Sequence, residues 1–205
     1  ELRVATDALT VVAAKDNAFL TCMKVEELQK LWEPAAENKV TTWNQVNSSW
    51  PTTKVELYGP GTDSGTFDYF TDEINGKEGA SRADFNASED DNVIVQGVAG
   101  SKSALGYFGY TYYEENAAKL KAIQIDGGKG CVTPSAETAG SGAYTPLARP
   151  LFIYVKNAAY TGKPQVKAFV DFYVAKDDDI AKAAQFISLN PTQKADLVKA
   201  ASAIK

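Results

Sequence analysis

Between Lys54 and Ile74 a strand pattern, a glycine-rich turn and a helix pattern follow one another without interruption. Lys54-Val-Glu-Leu-Tyr58 alternates polar and apolar residues as a half-buried strand does. Gly59-Pro-Gly-Thr-Asp-Ser-Gly65 is turn chemistry throughout, and Phe67, Phe70 and Ile74 then recur at helical spacing. A strand that feeds a helix through so short a loop belongs to an α/β architecture. The helix must fold back over a sheet that is at least partly parallel.

The rest of the chain reads the same way. Ala8-Leu-Thr-Val-Val-Ala13 is a buried strand. Val25 to Glu33 is a helix with Val25, Leu28, Leu31 and Trp32 on one stripe, closed by Pro34. Trp43 to Trp50 is a loop or short helix before Pro51. Ser88 is expected to cap a helix that opens on Glu89, Asp90 and Asp91 and runs through Val93, Val95 and Val98. Leu105–Tyr110 and Lys121–Ile125 read as strands, 127–142 as loop, and Leu151–Val155 as a buried strand after Pro150. From Lys163 onward Val166, Phe169, Val170 and Tyr173 repeat at helical spacing, and the helical character continues to Ile204.

Composition removes whole classes of function. The 205 residues hold no histidine, which excludes Ser-His-Asp and Cys-His catalysis and histidine-based zinc sites. The net charge is −5, so there is no basic face for duplex nucleic acid. No apolar run is long enough for a transmembrane segment. Neither a signal peptide nor a start Met opens the sequence, so the chain is expected to be mature or incomplete. Cys22 and Cys131 belong to no metal-ligand pattern. On spacing alone they are either one disulfide or two buried thiols.

Candidate chemistry gathers at the loop before the Phe67 helix. A helix that begins near Ser64 leaves the N–H groups of Gly65, Thr66 and Phe67 without intrahelical partners, and the hydroxyls of Ser64 and Thr66 stand beside them. Such a cluster suits a tetrahedral oxyanion. The simpler alternative is an N-cap on a tight turn. The loop is not a Walker A sequence, since no Lys follows the glycine. Ser64 as the nucleophile of a phosphate-ester hydrolase lacks a histidine partner.

Arg82, within Ser81-Arg82-Ala83-Asp84, is a second candidate, either forking onto anion oxygens or forming a surface ion pair. Glu89-Asp90-Asp91 lacks the spacing of a calcium loop and reads as a charged first helical turn. Tyr107, Phe108, Tyr110, Tyr112 and Tyr113 read as a half-buried aromatic strand rather than a stacking platform.

Taken in order, several stretches resemble the phosphate-binding proteins of bacterial phosphate ABC transporters, the PstS type and especially its cyanobacterial SphX-like branch. They are Ala8-Leu-Thr-Val-Val12, Gly59-Pro-Gly-Thr-Asp-Ser-Gly-Thr-Phe-Asp-Tyr-Phe70, Ser81-Arg82, Ser88-Glu-Asp-Asp-Asn-Val93, Val95-Gln-Gly-Val98, Ala104-Leu-Gly-Tyr-Phe-Gly-Tyr110 and Pro150-Leu-Phe-Ile-Tyr-Val155.

The resemblance implies an α/β fold of the periplasmic-binding-protein type, two α/β lobes with a ligand cleft between them, the first lobe incomplete in this chain. Residues 9–142 would form the second lobe. Residues 1–8 and 143–205 would be crossover strands and C-terminal helices of the first. Ser64, Gly65 and Thr66 map onto a phosphate-binding element of the family, and Asp63 is the nearest carboxylate to accept a proton from the ion.

Many members carry an Arg four positions before that Ser. Pro60 stands there in this sequence, and Arg82 is the expected replacement. The implied protein is a non-enzymatic receptor for inorganic phosphate that delivers to the membrane permease of an ABC importer. It would need no cofactor or metal and would be periplasmic or cell-surface in a bacterium. A surface or matrix interaction protein that keeps the fold without the ligand is the alternative. The implied oxidising compartment favours a Cys22–Cys131 disulfide.

Overall fold

A computed structural model describes all residues, Glu1–Lys205. Its strands are β1 (Leu2–Ala14), β2 (Cys22–Lys24), β3 (Glu56–Gly59), β4 (Asn86–Ala87), β5 (Ala104–Gly109), β6 (Leu120–Ala122), β7 (Gln124–Asp126), β8 (Cys131–Val132) and β9 (Ala148–Ile153). The helices are α1 (Val25–Trp32), α2 (Trp43–Val46), α3 (Gly65–Asn75), α4 (Asp91–Ala99), α5 (Tyr110–Asn116), α6 (Ala136–Gly140), α7 (Asn157–Gly162), α8 (Pro164–Ala175), α9 (Asp177–Ala183) and α10 (Pro191–Ser202). None is long and apolar enough to cross a membrane.

The main sheet runs β4-β3-β5-β1-β6, with β9 on the other half of β1. β3 lies parallel to both β4 and β5, while β1 is antiparallel to β5, β6 and β9. Period-two alternation along β1 and β5 divides their side chains between two cores. Leu9, Val11, Leu105 and Tyr107 face a cluster with α1, α2 and α3, whereas Val12, Ala104 and Phe108 face α4.

The first core is built around aromatics. Trp32 packs edge-on against Phe70, Phe85 and Tyr107, and Phe70 stacks on Tyr107 at 3.8 Å between centroids. Each such pair adds about 0.5–1.5 kcal/mol beyond the burial of its area. On the opposite face Gly106 lets α4 approach, since a Cβ there would lie 2.7 Å from Val98 Cγ2 and 3.0 Å from Tyr58 O.

β1 belongs to two environments. From Leu9 onward it pairs with β5 and β6, and from Leu2 to Ala8 it pairs with β9. Leu2 and Val4 lie in a separate core with Val170 of α8, Leu189 and Leu197 of α10. Six of the seven large apolar side chains left exposed fall on this latter part of the chain, Tyr154, Phe169 and Phe172 most of all.

In a small sheet, β2-β7-β8, the Cys22–Cys131 disulfide joins the two outer strands.

Several local expectations change. Asp90, not Ser88, caps α4 by accepting from Asn92 N, and Val93 is exposed while Ile94 takes the inner face. Tyr110, Tyr112 and Tyr113 are helical, so the aromatic strand ends at Gly109. Lys121–Ile125 is two strands in different sheets, split at Ile123: β6 joins β1, and β7 joins β2. The 127–142 loop contains β8 and α6.

β9 starts before Pro150 and is half-buried, because it pairs with β1 alone. Pro150 costs no ladder bond there. Its partner Thr6 turns its own N–H and C=O to Ile187, at 2.9 Å each.

Candidate functional site

β3, β4 and β5 run parallel, and a helix follows each of them: α3, α4 and α5. The N-termini of these helices therefore gather along one edge of the sheet, beyond the carboxyl ends of the strands, where open α/β sheets bind ligands. Ser88 N donates to Gly59 O at 3.0 Å and ties the start of the α4 loop to the end of β3.

At α3 the expected cap is present. Ser64 has extended backbone angles, and its Oγ accepts from Thr66 N at 3.2 Å. Ser64 N donates to Gly61 O, and Asp68 N donates to Ser64 O. The N–H groups of Gly65 and Phe67 donate to no protein acceptor, and the Thr66 hydroxyl has no protein partner. Gly65 is open on its Cα face, with nothing within 4 Å of an added Cβ. Two free amides, two hydroxyls and the positive end of an eleven-residue helix thus converge on one accessible point. Asp63 is exposed beside it. Ser64 Oγ has no basic side chain within hydrogen-bonding reach, so its geometry is that of a cap and donor.

The surroundings are acidic. A Cβ on Gly61 would fall 1.9 Å from Glu89 Oε1, which places that carboxylate against the loop backbone. Asp91, in the first turn of α4, has its carboxyl pushed up to about 6 by burial first and then by Asp90 and Glu89. An anion at α3 therefore needs positive charge beyond the helix end.

Arg82 does not supply it, which corrects the expectation from sequence. Its side chain is buried, with 4% exposure. Nε and Nη2 fork onto Asp84 at 2.6 and 2.8 Å, and Nη1 donates to Leu31 O and Val40 O. The Arg82 amide donates to Trp32 O, the same carbonyl that Asn75 in the last turn of α3 reaches with Nδ2. Arg82 is thus anchored at the far end of α3 from Ser64, and its donors are committed to protein.

Sequence reasoning passed over Arg149. It lies opposite Asp7 in the β1–β9 register, and its Nε donates to Asp7 Oδ2 at 3.2 Å. Its guanidinium carbon stands 4.1 Å from the centre of the Tyr69 ring, one turn into α3. Burial raises the Asp7 carboxyl, and Arg149 partly offsets the rise. The pairing spans most of the chain, so no local signal marked it.

Comparison with known proteins agrees with this architecture. The family model described as a PBP superfamily domain matches residues 1–177. The SphX protein of Synechocystis sp. is 50% identical over 189 residues, 92% of this chain and 56% of its own length. The phosphate-binding protein PstS of Staphylococcus haemolyticus is 37% identical, over 92% of this chain and 57% of its own. The chain therefore spans a little over half the length of these relatives. A crystal structure of a possible phosphate binding protein from Planctomyces limnophilus superposes with a TM-score of 0.91 at 45% identity, covering 98% of this chain and 71% of that one. With its parallel β3-β4-β5 unit, long shared β1 and matched residues 1–177, the chain belongs to the PBP superfamily, with the fold of the periplasmic phosphate-binding proteins.

Proposed function

We propose that the protein is a receptor for inorganic phosphate, which it holds at the N-terminus of α3 and delivers to the permease of an ABC importer. The observation that carries this reading is the set of unspent donors at Gly65, Phe67, Ser64 and Thr66, on a chain 50% identical to SphX and 37% identical to PstS. Ser64, Gly65 and Thr66 are the phosphate contacts, and Asp63 is the carboxylate able to accept a proton from the ion. Sulfate carries no proton at neutral pH and would be repelled there. The reading is one of binding without turnover, in the periplasm or at the cell surface of a bacterium.

In this reading residues 9–142 form one lobe. Residues 1–8 and 143–205 belong to a second, and β1 and β9 cross between them. The change of partners between Ala8 and Leu9, and the separate core of Leu2, Val4, Val170, Leu189 and Leu197, support that division. The exposed Phe152, Tyr154, Phe169 and Phe172 would be covered by further chain of the kind that its longer relatives carry. Closure of one lobe on the other would bury the ion.

A calorimetric titration with phosphate in excess sulfate tests the proposal. Saturable one-site binding, unmoved by sulfate and weakened about tenfold or more by Ser64→Ala with Thr66→Val, is expected. A folded protein that takes up no phosphate would overturn it.

A further inference from the structure

The acidic rim of the loop and the absence of an arginine at Pro60 leave open which cation meets the anion. Of the three arginines, Arg82 is spent on Asp84 and two carbonyls, and Arg3 donates to Thr6 Oγ1 away from α3. Arg3 keeps Nε and Nη1 unpaired, but beside Gln193 and Asp196 of α10, whereas Arg149 stands against α3 with donors to spare. Its Nε is used by Asp7, while Nη1 and Nη2 make no hydrogen bond to protein and its side chain is 39% exposed.

The guanidinium is held from two sides. Asp7, on the neighbouring strand, takes Nε, and the Tyr69 ring supplies a flat face beneath it. That ring is itself fixed, because its hydroxyl donates to Pro146 O at 2.6 Å. Leu9 lies opposite Gly109, the last residue of β5, so Asp7 and its partner Arg149 stand just past the carboxyl end of that strand, on the sheet edge where α3 begins. The charged groups that face the guanidinium are Asp7 from β1 and Glu73, one turn further along α3.

Resting on the phosphate reading above, we propose that Arg149 is the arginine of the anion site: its two Nη groups meet oxygens of the ion seated on α3, while Asp7 and Tyr69 are positioning residues that aim it. A carboxylate behind and an aromatic face beneath leave the guanidinium fork pointing one way. This is preorganisation for a tetrahedral oxyanion. It also places the cation on the strand pair that crosses between the two parts of the molecule. Binding and the relative placement of those parts would then share one residue.

The test titrates phosphate into the wild-type protein and into Arg149→Lys, Arg149→Gln and Asp7→Asn, at pH values below and above the second ionisation of phosphate. Arg149→Lys should lose about 10- to 100-fold in affinity and Arg149→Gln more, with the loss larger for the dianion. Asp7→Asn should lose less, because it only loosens the aim. A purely structural ion pair would shift the unfolding midpoint and weaken both phosphate species equally, and that result overturns the proposal. So do Arg149 variants that bind within about twofold of wild type. If Ser64→Ala weakens binding and Arg149→Lys does not, only the Arg149 assignment falls. A wild-type protein that binds no phosphate removes both.

Discussion

Replacing Arg82 by Met removes a buried guanidinium whose three nitrogens all donate to protein. Leu31 O lies in the last turn of α1, where no intrahelical donor remains for it, and Val40 O lies outside any helix or strand. Losing Nη1 strands both carbonyls, at about 1–3 kcal/mol each when buried. Asp84 keeps its solvent and the Asn38 amide, so its own loss is small. The sum over the two carbonyls is a destabilisation of about 2–6 kcal/mol. Urea unfolding reads it as a lower midpoint at constant slope. Arg82→Lys can reach one carbonyl and should lose about half as much, which keeps a folded variant available.

The same variants should bind phosphate as wild type does, because Arg82 sits at the far end of α3 from Ser64. In acid the sign is fixed by Asp84, whose carboxyl the Arg82 hydrogen bond holds down from 3.8 to about 2. The pair's contribution is present above the ordinary carboxylate range and is lost as pH falls toward 2. An Arg82→Lys protein that is as stable as wild type, or a folded variant whose phosphate affinity drops tenfold or more, would refute this account.

Two further outcomes follow from packing and covalent structure. Cys22 and Cys131 close a loop across a sequence separation of 109, so replacing both by Ser should cost up to about 4–5 kcal/mol on the chain-entropy argument, read by denaturant unfolding with and without reductant. Gly106→Ala drives a Cβ into Val98 and the Tyr58 carbonyl and should cost about 1–3 kcal/mol, read as a lower unfolding midpoint.

Much of the fold was legible because local pattern and tertiary role coincide. The α1 stripe of Leu28, Leu31 and Trp32 is buried as spaced, and Ser64 caps α3 where the glycines ended. Readings failed where the deciding partner was distant. Lys121–Ile125 keeps its alternation while the backbone passes from one sheet to another, and nothing local marks Ile123 as the crossing. The tyrosines after Gly109 have strand propensity, but packing against β1 and β5 makes them a helix.

Arg82 sits among Ser, Ala and Asp, the composition of an exposed loop. The carbonyls that bury it come from Leu31 and Val40. For Arg149 the local context is a strand with a proline, and its meaning depends on Asp7 near the other end of the chain.

β1 also sets the order in which this molecule can assemble. Its partners β5, β6 and β9 lie on the order of a hundred residues or more downstream, so each pairing closes a long loop before it returns any contact. A ribosome releases the thirteen-residue apolar strand well before any of these three neighbours. Until Leu105 and Leu151 arrive, the central strand has both edges bare, the state in which a chain is most prone to pair with a copy of itself.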